Sequence, residues 1–397
     1  LSGDLGFSFI SGDLVAVGPN VGARLGTDSI SVGVSGANFG LRHDADGTNF
    51  ELTGGVVESS LGGIGSFDAG SVTVQYSDLG TSVTAGERLT VGSLSYDFVE
   101  GLGSDAIAGF AIEGFGLTAA NFVRLSGDVG IKQDGSKLIA VGSNVGASLG
   151  TDSVGVSLSN ADFGLEIDGD AAVFALTDGT FGANLGSFAN VTSDSVFVEY
   201  TSSTGSVSSG DTLNVGDVTY TFGRDVASDT VLFGVEGLSA EIGGFATVTG
   251  DVGFSFVGDE IVAVGSGVGV RVGTDSANVG LTSADFGLVS TQDGTSFELT
   301  NGVFGLNVAN FAGATASSTR VSYSDENSRI DSGRVLNVGP LSYSFADEIV
   351  ADTSLVTVEG FAAEVGGFVD LSGDLGFSFI SGDLVAVGAP RLSGSPP

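Results

Sequence analysis

The residues best suited to chemistry gather around one imidazole. His43 is the single histidine of the chain and sits in Arg42-His43-Asp44-Ala45-Asp46-Gly47, which combines a base, a cation and two carboxylates. Any Ser-His-Asp or multi-histidine metal scheme must pass through it. Asp44-Ala45-Asp46-Gly47 also carries oxygen ligands at alternate positions ahead of a glycine, the beginning of a calcium loop. Asp168 and Asp170 echo it loosely. The simpler reading is a hairpin turn, because this polar cluster ends in Gly47 just before the strand-like Asn49-Phe50-Glu51-Leu52. The closing glutamate of an EF-hand loop is missing, and so is the Gly-Gly-x-Gly-x-Asp repeat of calcium-binding β-rolls.

Other candidates dissolve in the same way. The glycines of GSGVGVRVG from Gly265 imitate a dinucleotide fingerprint, but no helix follows and the sisters GPNVGARLG and GSNVGASLG mark them as a repeat feature. Asn190-Val191-Thr192 is a lone glycosylation sequon in a Ser- and Thr-rich chain. Lys132 and Lys137 read as hairpin decoration. The 48 acidic residues offer many carboxylate pairs for glycoside cleavage, and nothing singles out two. The sequence therefore assigns no catalytic, cofactor-binding or metal-ligating residue and predicts a protein that is not an enzyme. Calcium at the Asp44 and Asp168 loops is the one ligand left open.

Composition narrows the partners. The 397 residues include 67 Gly and 28 Phe, no Cys, Met or Trp, and 48 acidic against 12 basic side chains, for a net charge of −36. A charge of that sign predicts no nucleic-acid binding, since phosphate recognition needs concentrated Lys and Arg, and no attraction to an anionic membrane. No apolar run approaches a membrane span, so no membrane insertion is predicted. Leu1 opens on strand-like text without a basic leader, which predicts a chain that begins inside a longer product. A chain free of Cys and Met and poor in Lys suits an oxidising exterior, so the expected location is extracellular or the cell surface.

Repetition organises the whole chain. LSGD at Leu1 and Leu125, VTGD at Val248 and LSGD at Leu371 recur at steps of 124, 123 and 123 residues. This predicts repeats at 1–124, 125–247 and 248–370, the start of a fourth at 371–388, and a flexible tail at 389–397. Residues 1–18 recur letter for letter as residues 371–388. A weaker inner echo, Phe-x-x-apolar-polar-small-Asp, starts at Phe122, Phe188 and Phe245. Aspartates recur at fixed points, with Asp28, Asp152 and Asp275 in Thr-Asp-Ser and Asp4, Asp128, Asp251 and Asp374 after glycine. Turns and caps account for them.

The elements that carry these residues read as strands. SVTVQY alternates Val72, Val74 and Tyr76, and SLSYDF alternates Leu94, Tyr96 and Phe98, each with two sister copies. Glycine and Asp-Gly clusters punctuate them about every 8 to 12 residues. Asp105–Gly114 does not hold a helical period and allows at most one helical turn. The fold class is all-β, an elongated array of three repeats built as a β-solenoid or a continuous stacked sheet, rather than separate sandwiches, because no linker separates the repeats. Phe39, Phe163, Phe286 and the six tyrosines are the expected core.

The wording of the repeats, with VGSNVGASLGTDSV, SADFGL, DGTSFELT, DTLNVGDVTYTF and GVEGLSAEIGGF, resembles the Gly-rich, acidic, Cys-free repeats of giant bacterial surface and secreted adhesin-like proteins, from Leu1 to Gly388. The resemblance implies an extracellular stalk, fibre or matrix component. The expected function is accordingly a structural rod or self-assembling filament whose partners are copies of itself, end to end. An adhesin segment binding cell-surface or matrix glycans is the alternative, and a carbohydrate-active β-helix enzyme the second.

Overall fold

The computed structural model describes residues 2–10, 12–26, 30–61, 65–103, 107–119, 122–151, 154–186, 188–257, 260–309, 311–380 and 383–390. These residues are all-β, with no helix among them. In chain order the first repeat holds β1 (Gly6–Ile10), β2 (Asp13–Gly26), β3 (Ile30–His43), β4 (Thr48–Leu61), β5 (Gly65–Ser77), the short β6 (Arg88–Val91) and β7 (Leu94–Asp97), and β8 (Ile107–Ala119). The second holds β9 (Val123–Asp134), β10 (Lys137–Gly150), β11 (Val154–Asp168), β12 (Ala171–Leu185), β13 (Ala189–Thr192) and β14 (Ser195–Thr201), the short β15 (Thr212–Val215) and β16 (Val218–Thr221), and β17 (Val231–Ile242). The third holds β18 (Ala246–Val257), β19 (Glu260–Gly273), β20 (Ala277–Thr291), β21 (Gly294–Val308), β22 (Ala312–Ser324), the short β23 (Val335–Val338) and β24 (Leu341–Ser344), and β25 (Thr353–Val365), followed by β26 (Val369–Ile380) and β27 (Asp383–Pro390). Six long positions, a to f, thus recur, with a short hairpin inserted between e and f; position e of the second repeat is broken into β13 and β14.

The chain divides into two compact units, residues 1–180 with 199–229 and residues 181–198 with 230–397. In the first, the long strands from β1 to β11 pair antiparallel, each with the one before it. In the second, those from β17 to β27 do the same. Of the two arrays anticipated, the continuous sheet is the one found within each unit; the coils of a solenoid stack in parallel, whereas here the neighbours pair antiparallel. The repeat starts at Leu125 and Val248 fall inside β9 and β18. Ile107–Gly114 is strand, not a helical turn. Ala389 and Pro390 belong to β27, opposite Asp374 and Gly373, rather than to a tail, and residues 391–397 lie outside the described residues.

Alternation sorts side chains onto two faces. One row runs Val17, Gly40, Glu51, Gln75 and faces the short hairpin; the adjacent row, Ala16, Leu41, Phe50, Tyr76, faces away. Cross-strand glycines receive aromatic rings on both faces. A Cβ on Gly18, Gly142 or Gly265 would stand 2.2, 2.1 or 2.1 Å from the ring of Phe39, Phe163 or Phe286. Those three rings are half-buried on the outer face, not in the core. Tyr76, Tyr200 and Tyr323 also lie outside it, at 42 to 44 % exposure. The core tyrosines are Tyr96, Tyr220 and Tyr343, one in each hairpin.

Many of the long strands bend at a bulge near their middle, and recurrent aspartates hold several of these bulges. Asp128, Asp251 and Asp374 accept the backbone N–H of Gly114, Gly237 and Gly360 at 2.6, 2.7 and 2.8 Å. These three glycines have φ near +60°, a conformation that side chains resist. The residue before each outer-face phenylalanine does the same for position b, where Asn38, Asp162 and Asp285 accept from Asn20, Asn144 and Gly267. Capping therefore explains the Gly-Asp aspartates at 128, 251 and 374.

Candidate functional site

The sequence-singled residues are dispersed among turns. His43 pairs across the β3–β4 hairpin with Thr48, its Nδ1 lying 2.9 Å from the Thr48 hydroxyl. Asp44 accepts the backbone N–H of Asp46 and Gly47, an Asx turn, and Arg42 reaches Glu87 at 2.8 Å. Asp168 accepts from Ser136, and Lys137 pairs with Glu166 while Lys132 pairs with Asp134, each at 3.0 Å. Asn190 to Thr192 is strand β13. Gly265 lies within β19. Asp275 pairs with Arg271 at 3.1 Å, while Asp28 and Asp152 lie outside the described residues. Among the described residues no group of three or more His, Asp or Glu could hold a metal ion.

What the fold does bring together is a buried joint under each short hairpin. Leu89, Tyr96 and Phe98 are buried over Val15 and Val17 of β2, with Val83 and Leu102 closing the flanks through a mutual backbone bridge. Tyr96 lies on Gly40, where a Cβ would be 2.3 Å from its ring, and meets Phe98 edge-on at 5.6 Å. Beneath it Glu51 is fully buried. Its carboxyl oxygens accept from the Tyr96 hydroxyl and the Val99 N–H, both at 2.7 Å, and from the Glu100 N–H and Gln75 Nε2, both at 3.2 Å. Burial, reinforced by Glu51, pushes the Tyr96 phenol well above its usual range, and burial acts likewise on Tyr343 over Glu298.

The three repeats solve this joint differently. In the third, Glu298 accepts from Tyr343 and pairs with Arg320, which also reaches Asp347. In the second, Ala175 stands where Glu51 stands, and the buried carboxyl moves to Glu199, which pairs with Arg224. Glu199 occupies the position of Gln75, and Arg224 that of Glu100. Sequence reasoning missed this carboxyl because Phe-Glu-Leu-Thr reads as ordinary alternation, polar side outward. The signal was present in the tyrosine that recurs 45 residues after each of Glu51 and Glu298.

The hairpins of the second and third repeats also reach the strand that precedes their own repeat. In the first unit, Ala111 of β8 joins the core of Leu213, Val215, Val218 and Tyr220. A Cβ on Gly216, at the hairpin turn, would stand 2.9 Å from that of Ala111. In the second unit, Phe197 and Leu232 join the core of Val338, Leu341 and Tyr343. Exposure records the effect. Val215 and Val338 are 2 and 0 % exposed, whereas the equivalent Val91, in a hairpin with no such strand beside it among the described residues, is only partly buried.

One charge pair opposes this seam. Burial and the facing Asp217, with a smaller push from Asp128, raise the Glu113 carboxyl above its ordinary 4.5. A carboxyl whose folded value is raised binds its proton more tightly when folded, so stability is gained as pH falls through the raised value and lost as it rises. Asp217→Ser, which installs the residue found at position 93, is expected to raise the melting temperature at pH 7, with the gain shrinking as the pH falls and Glu113 takes up its proton. Thermal melts of both proteins across that range check it; an unchanged difference contradicts it.

The chain matches no family model, no curated protein and no solved structure.

Proposed function

We propose that this chain is a structural protein of the cell exterior, a scaffold of laterally stacked β repeats that associates end to end with copies of itself. One observation supports this reading above the rest: the hairpin of one repeat lies on the last long strand of the repeat before it, as Gly216 lies on Ala111 and Val338 packs with Leu232. Stability is then a sum of repeat and neighbour terms, which lets length grow without a larger core. The acidic, Cys-free composition agrees with an exterior setting. Mutual carboxylate repulsion keeps such surfaces from coalescing at random.

The reading has a direct test. Residues 125–247, prepared alone, lack the strand that covers Val215. Losing that cover exposes a valine worth about 1.5–3 kcal/mol, so the fragment is expected to melt about 10 °C below the full chain and less cooperatively. A fragment melting at the same temperature with the same sharpness contradicts neighbour dependence.

A further inference from the structure

We propose that two copies of this chain pair face to face through the outer faces of their sheets, covering an apolar surface that the fold leaves open. The inference goes beyond the end-to-end association proposed above and does not depend on it.

The strands ask for cover on two sides. Leu138-Ile139-Ala140-Val141 of β10 and Ile261-Val262-Ala263-Val264 of β19 are unbroken apolar runs, the mark of strands buried on both faces. One side has its cover, since Ile139 and Val141, like Val262 and Val264, pack under the hairpins. Leu138, Ala140, Ile261 and Ala263 alternate with them and point the other way.

On that other side the register lines up an apolar row in each unit. In the first, Phe39, Leu52, Val74, Phe110, Ile131 and Ala140 are successive cross-strand partners from β3 to β10. In the second, Phe233, Phe254, Ala263, Leu288, Phe297 and Tyr323 are such partners from β17 to β22. Neither row holds a charged residue, in a chain with 48 acidic side chains. The larger members stand open: Phe110 and Ile131 are 40 and 38 % exposed, Phe233 and Phe254 44 and 41 %. Scattered apolar residues on a surface mean little, but a contiguous patch marks an interface.

Size and charge select the occupant. With the outer rows on either side, the long strands from β3 to β11 present a patch about 30 Å by about 20 Å at ordinary strand and residue spacings. A pair of copies would bury roughly 1,200 Å² there, enough for a stable complex. A twofold axis sets the patch on its own equivalent, so one surface serves both copies. A glycan needs free hydrogen-bonding groups between the rings, and the nearest are committed: Tyr76 donates to Asp78, Tyr323 to Asp325 and Gln133 to the Gly135 carbonyl. An anionic membrane would meet Asp44, Asp46 and Asp134 in the turns that border the rows. The same acidic border repels a second copy, so the pairing is predicted to tighten with salt, the reverse of a contact with a basic partner.

Hydroxyl-radical footprinting of the full chain locates the contact, and sedimentation follows the association. In about 1 M salt, where repulsion is screened beyond about 3 Å, concentrated chain is expected to protect Phe110, Ile131 and Phe254 from oxidation severalfold relative to dilute chain. Phe110→Glu with Phe254→Glu puts a charge in each unit's row and should abolish that protection. Its melting temperature in dilute solution shows whether it folds; Phe110→Thr with Phe254→Thr, whose side chains favour strands, serves if it does not. Oxidation unchanged by concentration, protection that survives in the folded variant, or association that weakens with salt would overturn face pairing. So would protection that appears only on adding phosphatidylcholine vesicles or a soluble polysaccharide. The footprint keeps the two readings apart, because end-to-end association leaves these residues open and its absence leaves their protection intact.

Discussion

Glu51→Ala is expected to destabilise the first unit by about 3–5 kcal/mol, the cost of breaking a buried polar cluster from one side. The loss is large because four donors converge on this carboxyl: the Tyr96 hydroxyl, two backbone N–H groups and Gln75. Removing the acceptor leaves the Val99 and Glu100 N–H groups desolvated and unpaired, while Gln75 keeps only its bond to the Glu100 side chain. The second repeat already contains the remedy, since Ala175 is native there and the charge sits on Glu199 with Arg224 beside it. The triple variant Glu51→Ala, Gln75→Glu, Glu100→Arg should therefore recover most of the loss. Urea unfolding read by the tyrosines, in a chain without tryptophan, measures all three proteins. A triple variant no better than the single would show that the joints are not interchangeable.

Gly164 and Tyr220 form the second large case. Tyr220 is 4 % exposed and packs edge-on against Phe222 at 5.1 Å, so Tyr220→Ala should cost about 3–5 kcal/mol. Gly164→Ala should cost about 1–3 kcal/mol, because its Cβ would stand 2.3 Å from the Tyr220 ring. The three nearest atoms to that position all belong to Tyr220. The double variant should therefore unfold no more easily than Tyr220→Ala alone, a coupling of about 1–3 kcal/mol in a double-mutant cycle. Additive losses would mean that Gly164 serves the backbone rather than the ring.

These two cases show what the sequence disclosed and what it hid. Period-two alternation in SVTVQY and SLSYDF located β5 and β7, and the 123-residue step located their sisters, because alternation and repetition are local properties of the text. Register and neighbour are not local. Tyr76 and Tyr96 lie in equally clean alternating runs, yet one stands on the outer face donating to Asp78 and the other is buried over Glu51. Nothing within either run says that the short hairpin folds back over β2 and β3. The glycines were legible as turn formers, and several are; Gly18, Gly40 and their sisters are instead landing places for rings on strands far along the chain. The Gly-Asp aspartates were legible as caps, and those at 128, 251 and 374 cap bulges inside strands rather than turns between them; Asp162 and Asp285, which the sequence did not single out, do the same. The Arg42–Gly47 cluster, the most suggestive chemistry in the text, is a hairpin turn closed by Asp44.

Native-state hydrogen exchange on the intact chain compares the three hairpins inside one molecule and so tests neighbour dependence most directly. Leu89–Tyr96, Leu213–Tyr220 and Leu336–Tyr343 are equivalent pairs with the same register, and among the described residues the last two alone sit in hairpins packed on the strand of a preceding repeat. The amides of the first hairpin are expected to exchange at least about tenfold faster than those of the other two, the difference that one covered valine makes. Equal protection in all three would contradict the account.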